Sequence, residues 1–545
     1  MSGRADLTIP MLDGTLPPPG SEDVTTLVLA AEAARADLAV APDDPDLHAT
    51  YAAILHRLGH PAAAEPHYRE ALRLRPADAS SWSNLGLALL ATGSAAEAEL
   101  CQRRALRLRP DLADAHSALG MAQYAQGCVA EAENSFRGAL RLAPDHPNAL
   151  LNLGTALQSL DRLDEAHAYY LAALGAGAPP AKVLNNLGLL LQEMGRLDEA
   201  EATCRAALDQ DPDQAEARVN LAMVLLARGA LAEGWRAYES RFALATQPGG
   251  MRRFLQPQWT GATPPDGRTI LLHAEQGFGD TLQFCRYAPL VAAAGARVVL
   301  EVPPALMRLV GTLAGVVEVV MAGDPLPGFD LHCPLMSLPL AFGTTLESIP
   351  RAVPYLHPEP AQAEAWRQAL GGLRGRRIGL VWAGSARLDN PHAAALDRRR
   401  SVPLETLAPL AALPDVSFVS LQLGPAATQP APAGLHLHDP TAHLRDFADT
   451  AAVIAALDAV VSVDSAVAHL GGAMGKPVFL LNRFDTCWRW LHDRDDSPWY
   501  PTLRQFRQPA PHDWATPVGR LTEALAALRP AVPDGGPSGI SVEAR

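Results

Sequence analysis

Lysine is nearly absent from this 545-residue sequence. It occurs at positions 182 and 476 only, so arginine carries almost all the positive charge. With Asp+Glu 59 against Lys+Arg 45, the net charge is −14, which argues against binding nucleic acid or an anionic membrane surface through charge alone. Cysteine is scarce. The six residues (101, 128, 204, 285, 333, 487) form no C-x-x-C pair and read as reduced, packed thiols of a cytosolic protein rather than disulfides or zinc ligands. No apolar run is long enough to cross a membrane. The first 20 residues have neither a basic nor an apolar stretch of the kind a signal peptide needs. Hydrophobic residues at 48% still suffice for sizeable cores, and the length points to several domains.

What the sequence does contain is a 34-residue period. Pro76, Pro110, Pro144 and Pro212 share it, with Ala178 beside Pro179 at the missing step. Gly86, Gly120, Gly154 and Gly188 repeat in phase, as do Ala64, Ala98, Ala132, Ala166 and Ala200. Tyr68, Phe136, Tyr170 and Tyr238 mark an aromatic position. This is the tetratricopeptide (TPR) pattern, in which each unit is a helix pair, small residues allow close crossing and Pro ends the second helix. Repeats are predicted to begin near 45, 79, 113, 147, 181 and 215. The last is degraded, with Ala222 for Gly and Gly234 for Ala, and is expected to cap the solenoid and dock on the C-terminal part of the chain.

Asn84, Asn152, Asn186 and Asn220 recur one residue before the first-helix Leu. An Asn amide offers both a donor and an acceptor to a peptide backbone. A groove for a protein or peptide partner is one reading; Asn as a common residue of such repeats is the other.

The rest of the chain alternates strand and helix. The predicted organisation is a disordered tail over 1–20, a solenoid over 21–245, a Pro/Gly-rich linker over 246–268, an α/β half over 269–360, a second over 361–530, and a disordered tail over 531–545. Strands are expected at Thr269–Glu275, Arg297–Val302, Val316–Met321, Asp330–Pro334, in the opening of the second half from Arg377 to Gly384, and at Ser417–Gln422, with helices at Thr281–Ala294, around Trp366, near 404–412 and near 446–457.

The most informative stretch is Ala459 to Leu481, which reads strand, turn, helix, turn, strand. Asp464 and Ser465 are good helix N-caps and Gly475 a good C-terminal stop. Such a unit directs a helix N-terminus at the C-terminal edge of a parallel sheet, where free amides favour a phosphate. His469 follows one turn after Ser465, either as an added donor or as a packed histidine. The motif D-S-A-V-A-H-L-G-G-A-M-G-K-P-V resembles the nucleotide-sugar motif of family 9 glycosyltransferases, the bacterial lipopolysaccharide heptosyltransferases. That resemblance implies a GT-B fold of two Rossmann-like halves and a donor diphosphate held by Asp464, Ser465, Ala466, His469 and Lys476. The overall layout resembles protein O-GlcNAc transferase, a TPR solenoid fused to a transferase.

Gln276-Gly277-Phe278-Gly279-Asp280 reads as a glycine turn at the end of the first strand, on the acceptor side. Asp280 matches the carboxylate that the family proposes as base for the acceptor hydroxyl. A helix cap is the other reading, and His273 and Glu275 are weaker alternatives as base. The stretch Gly384 to Ser401 is read as a loop carrying Arg398, Arg399 and Arg400. Arg400 and Ser401 are the choice for a basic contact to the leaving diphosphate.

Asp493-Arg494-Asp495 spells D-x-D but reads as a surface loop; Trp488 and Trp490 read as core by default, with stacking on a base or walling the cleft as the other reading. His436 and His438 have no partners for a metal. The expectation is a cytoplasmic, metal-independent, inverting glycosyltransferase without a cofactor, acting on a nucleotide sugar. Its alternative is a non-catalytic TPR scaffold whose GT-B domain is degenerate.

Overall fold

The computed structural model describes residues 22–244, 252, 254–385 and 390–528. Both predicted tails, the first part of the predicted linker and 386–389 of the arginine stretch lie outside them. No helix among the described residues is long and apolar enough to cross a membrane.

The 34-residue lattice becomes helix pairs in register. After a first helix, Glu22–Val40, the leading helices of the pairs begin at Pro45, Ala79, Ala113, Pro147, Pro180 and Ala215. The second helices begin at Pro61, Ala95, Val129, Leu163, Leu197 and Leu231. The lattice prolines fall just past the ends of the second helices, which close at Leu74, Leu108, Leu142 and Gln210.

The lattice glycines face the lattice aromatics. A Cβ on Gly120 would stand 2.6 Å from Phe136, and one on Gly154 2.7 Å from Tyr170. Where the lattice carries Gln102 instead, a Cβ on Gly86 would meet its amide nitrogen at 2.5 Å. The helices of a pair therefore approach to backbone distance, and the ring fills the space that a side chain would take.

The chain forms two compact units. One runs through Met194 and includes Asp209–Pro212 and the helix residues up to Leu396; the other holds Gly195–Leu208 and the rest. The second unit contains two parallel sheets. The first has strands β1 (Thr269–His273), β2 (Arg297–Val302), β3 (Val316–Met321) and β4 (Leu331–Pro334) in the order β3-β2-β1-β4. The second has β5 (Arg376–Val381), β6 (Val416–Ser420), β7 (Leu437–His438), β8 (Ala459–Val463), β9 (Val478–Asn482) and β10 (Leu503–Arg507) in the order β10-β9-β8-β5-β6-β7. Every ladder is parallel. In each sheet the strand leading to the site, β1 or β8, is internal and has buried apolar side chains on both faces, as parallel sheets require.

Several expectations shift. The helix expected over Thr281–Ala294 begins earlier and breaks into Phe278–Phe284, a 3₁₀ turn and Ala288–Ala293, with Pro289 in its last piece. The one near 404–412 is 3₁₀, with Pro409 inside it. The arginines at 398–400 lie on a helix, Pro391–Arg400, rather than in a loop. Part of the predicted linker runs beside the first sheet: Trp259 N donates to His332 O at 2.7 Å, and the Trp259 ring is buried. One large apolar side chain outweighs the surrounding Pro and Gly there.

The last repeat docks as expected. Trp235, 1% exposed, meets Phe284, Trp488 and Trp499 edge-on at 6.1, 5.3 and 6.5 Å between ring centres. Burying a ring of this size is worth about 3 kcal/mol.

Candidate functional site

The site is built by two helices that follow two central strands. β1 leads through Gln276 to Phe278–Phe284, and β8 leads through Asp464 to Ala466–Ala473. These helices touch. A Cβ on Gly279 would lie 2.9 Å from Cδ2 of His469 and 3.7 Å from the Ala466 Cα. Gly277 has φ −67°, so neither glycine serves a left-handed turn. Gly279 is a helical residue whose missing side chain admits the neighbouring helix.

Ser465 caps the Ala466–Ala473 helix. Its hydroxyl accepts from Val467 N at 3.3 Å and lies 2.9 Å from the Ser462 hydroxyl. Ala466 is the first helical residue, so its amide has no intrahelical acceptor. Gly475, at φ +70°, ends the helix. Arg400 reaches this turn: its Nη1 donates to Asp464 O at 3.3 Å, and its Nη2 pairs with Asp397 at 2.7 Å. Ser401 donates to Asp397 O at 2.7 Å and accepts from Gly384 N at 3.2 Å. Of the other arginines, Arg398 is exposed, whereas Arg399 is buried and lies 3.3 Å from Asp485.

Asp464 turns its carboxylate inward to accept from Trp490 Nε1 at 2.9 Å. Burial alone would push its pKa up. The charge that His469 carries when protonated, the guanidiniums of Arg400 and Arg483 and the Trp490 N–H together outweigh burial and hold it below the usual value.

His469 is a packed histidine. It is 3% exposed, stacks on Trp490 at 4.8 Å, and its Nδ1 lies 2.9 Å from the Tyr500 hydroxyl. Burial lowers its pKa to about 3 against the attraction of Asp464, so the ring is neutral near pH 7. Lys476 sits past the opposite end of the same helix. Its ammonium donates to Ala455 O at 3.0 Å and Leu457 O at 2.8 Å, closing the C-terminus of the Phe447–Ala455 helix. Eight helical residues span about 12 Å, which separates Lys476 from the Ser465 turn.

On the facing helix, Asp280 combines two roles. Its Oδ2 accepts from Gly277 N at 3.1 Å, the reciprocal arm of a capping arrangement, and its Oδ1 is ion-paired with Arg489. Arg489 lies over the Trp488 ring at 4.3 Å and within 3.0 Å of Cys487 Sγ. Gln276 donates to the Tyr238 hydroxyl at 2.9 Å. The alternative bases are occupied. His273 is buried 3.3 Å from His332, and burial lowers its pKa to about 3. Burial also raises Glu275, which is paired with Arg241 at 2.8 Å.

Asp493 and Asp495 pair with His492 and Arg520, at 2.7 and 3.2 Å. Trp488 and Trp490 are core residues. Among the described residues no three His, Cys, Asp or Glu side chains converge as a metal site would. Asn84, Asn152, Asn186 and Asn220 are half-buried on their leading helices, and among the described residues nothing donates a hydrogen bond to the buried Asn84 carbonyl oxygen.

Sequence reasoning missed Arg483, Arg489 and Tyr500. Arg489 lies in the aromatic run Cys487–Leu491, and its basic charge among tryptophans was the available signal. Tyr500 carried none.

The repeats are tetratricopeptide repeats: family models with that description match residues 52–113, 117–181 and 181–214. The chain is 29% identical over 320 residues to Protein FlbA of Caulobacter vibrioides, covering 54% of this chain and 52% of that one. It thus spans about half the length of this curated relative. Among solved structures, a TPR protein of Thermus thermophilus is 26% identical, with 34% of this chain and all of that chain covered, at a TM-score of 0.31. The pilF protein of Pseudomonas aeruginosa is 24% identical, with 36% and 89% covered, at a TM-score of 0.32.

Proposed function

We propose that this TPR protein is a cytoplasmic glycosyltransferase of the GT-B type, taking its sugar from a nucleotide-diphosphate donor. In this reading the amides of Ser465 and Ala466, with Arg400, hold the diphosphate at the start of the Ala466–Ala473 helix. The acceptor hydroxyl attacks the anomeric carbon, the bond to the diphosphate oxygen breaks, and Asp280 takes the hydroxyl proton once Arg489 has released it. Arginine and helix amides carry the leaving charge, so no metal is needed. The TPR groove, with Asn84, Asn152, Asn186 and Asn220, recruits a protein or peptide, either the acceptor or its carrier. The supporting observation is the contact of Gly279 with His469, which brings a carboxylate and a helix N-terminus from two sheets to one place.

A second reading has its own observation. Asp280 is engaged twice, by Gly277 N and by Arg489, as in a scaffold that has kept the fold and lost the reaction. Incubating the full chain with ADP-, UDP- and GDP-sugars in EDTA separates the two. Release of nucleoside diphosphate from one of them supports the transferase. A chain that gains thermal stability from none of them and hydrolyses none is a scaffold.

A further inference from the structure

The C-terminal edge of the second sheet holds a buried guanidinium that the described residues satisfy only in part. Arg483 follows β9 and is 7% exposed. Among the described residues its Nε and Nη1 donate no hydrogen bond, and its ion-pair contact is Asp485, 3.4 Å from Nε. Asp485 is shared with Arg399, which approaches it at 3.3 Å. Asp485 therefore divides its oxygens between Arg399 and Arg483. A buried guanidinium with idle donors is costly unless an anion completes it.

Register places Arg483 beside the proposed donor site. Val463 of β8 lies opposite Leu481 of β9, so continuing the ladder sets Ser465 level with Arg483. On the other side Ser462 lies opposite Val381 of β5, which sets Gly384 level with Ser465. A Cβ on Gly384 would stand 2.4 Å from Arg400 Nε, so this glycine keeps Arg400 against the same edge. Arg400, a helix N-terminus and Arg483 thus follow one another along the ends of β5, β8 and β9. The amides suit one phosphate. Arg483, one strand over, suits a second group linked to it.

We propose that Arg483 is the specificity-determining contact for the second phosphate, so that the site takes nucleoside diphosphates and discriminates against monophosphates. This rests on the donor reading above and adds to it the residue that counts phosphates. A planar guanidinium with two idle donors matches the oxygens of a phosphate, and such charge-assisted bonds are the strong ones. Asp485 competes for Arg483 when the site is empty.

The test uses the full chain, titrated calorimetrically with ADP, AMP, UDP, UMP, GDP and GMP. The wild type is expected to bind its preferred diphosphate at least about tenfold more tightly than the matching monophosphate. Arg483→Met should close that gap by weakening the diphosphate alone. Asp485→Asn, which frees Arg483, should widen it. An Arg483→Met protein that keeps the wild-type gap overturns the proposal and leaves the donor reading standing. A wild type that binds no nucleotide removes the donor reading and this inference with it. If Arg483→Met does not fold, Asp485→Asn decides: a wider gap supports the proposal, and an unchanged or narrower one overturns it.

Discussion

Gly279 and His469 are in contact across two sheets, at a point where a single added methyl group would stand 2.9 Å from the imidazole. The ring cannot yield, because Trp490 stacks on one side and the Tyr500 hydroxyl holds Nδ1. Gly279→Ala is therefore expected to cost about 1–3 kcal/mol by overpacking. Urea unfolding of the second unit's core, followed by tryptophan fluorescence, measures it. A variant as stable as wild type would mean that the helices separate freely.

The Asp280–Arg489 pair makes a different prediction from a simple cap. Asp280→Asn keeps an oxygen for Gly277 N but leaves a nearly buried guanidinium without its carboxylate. Breaking such a pair costs about 3 kcal/mol or more, and removing both partners costs less. Asp280→Asn should thus be less stable than Asp280→Asn/Arg489→Met, while both lose sugar transfer by roughly 100-fold, the weight of a general base. Equal melting temperatures for the single and double variants would contradict the coupling.

Acid should destabilise the fold through its buried histidines. His273 and His469 have folded pKa values of about 3, against 6.5 for an exposed ring. Between those values the unfolded chain binds protons that the folded chain does not. Stability is then unaffected above pH 6.5 and falls as pH drops, by about 1.4 kcal/mol per unit for each histidine. Asp464, lowered from 3.8, adds its own loss only in stronger acid. The denaturation midpoint at pH 7 and pH 5 reads this, and His469→Gln should make the slope shallower by one histidine's share, about 1.4 kcal/mol per unit. An unchanged slope would show that His469 is not buried neutral.

Lys476→Met separates the resemblance from the geometry. If Lys476 only closes the Phe447–Ala455 helix, nucleotide affinity is expected to stay within twofold of wild type while stability drops by about 1–2 kcal/mol. A tenfold loss of affinity at full stability would return Lys476 to the donor site.

The repeats were legible because one physical requirement recurs: each Gly admits the side chain of the facing helix, a ring at Gly120 and Gly154, and each Pro follows a helix end, at a fixed period. The βαβ unit around Ser465 was legible for the same local reason, since strand, cap and αL stop are all written within it. The roles of Asp280, His469 and Lys476 were not, because each is decided by residues far away in sequence. Arg489 lies 209 residues beyond Asp280, and Tyr500 lies 31 beyond His469. β10 was not legible because Leu503–Arg507 holds two apolar residues spaced three apart, a pattern without the alternation of a strand.

Trp235 also governs where this chain can be divided. A fragment beginning after residue 245, at the change in composition, would leave Phe284, Trp488 and Trp499 facing water and would precipitate or bind chaperones. One beginning at Gly195 retains the indole that covers them. The final helix pair is thus a structural part of the α/β unit and has to be kept with it.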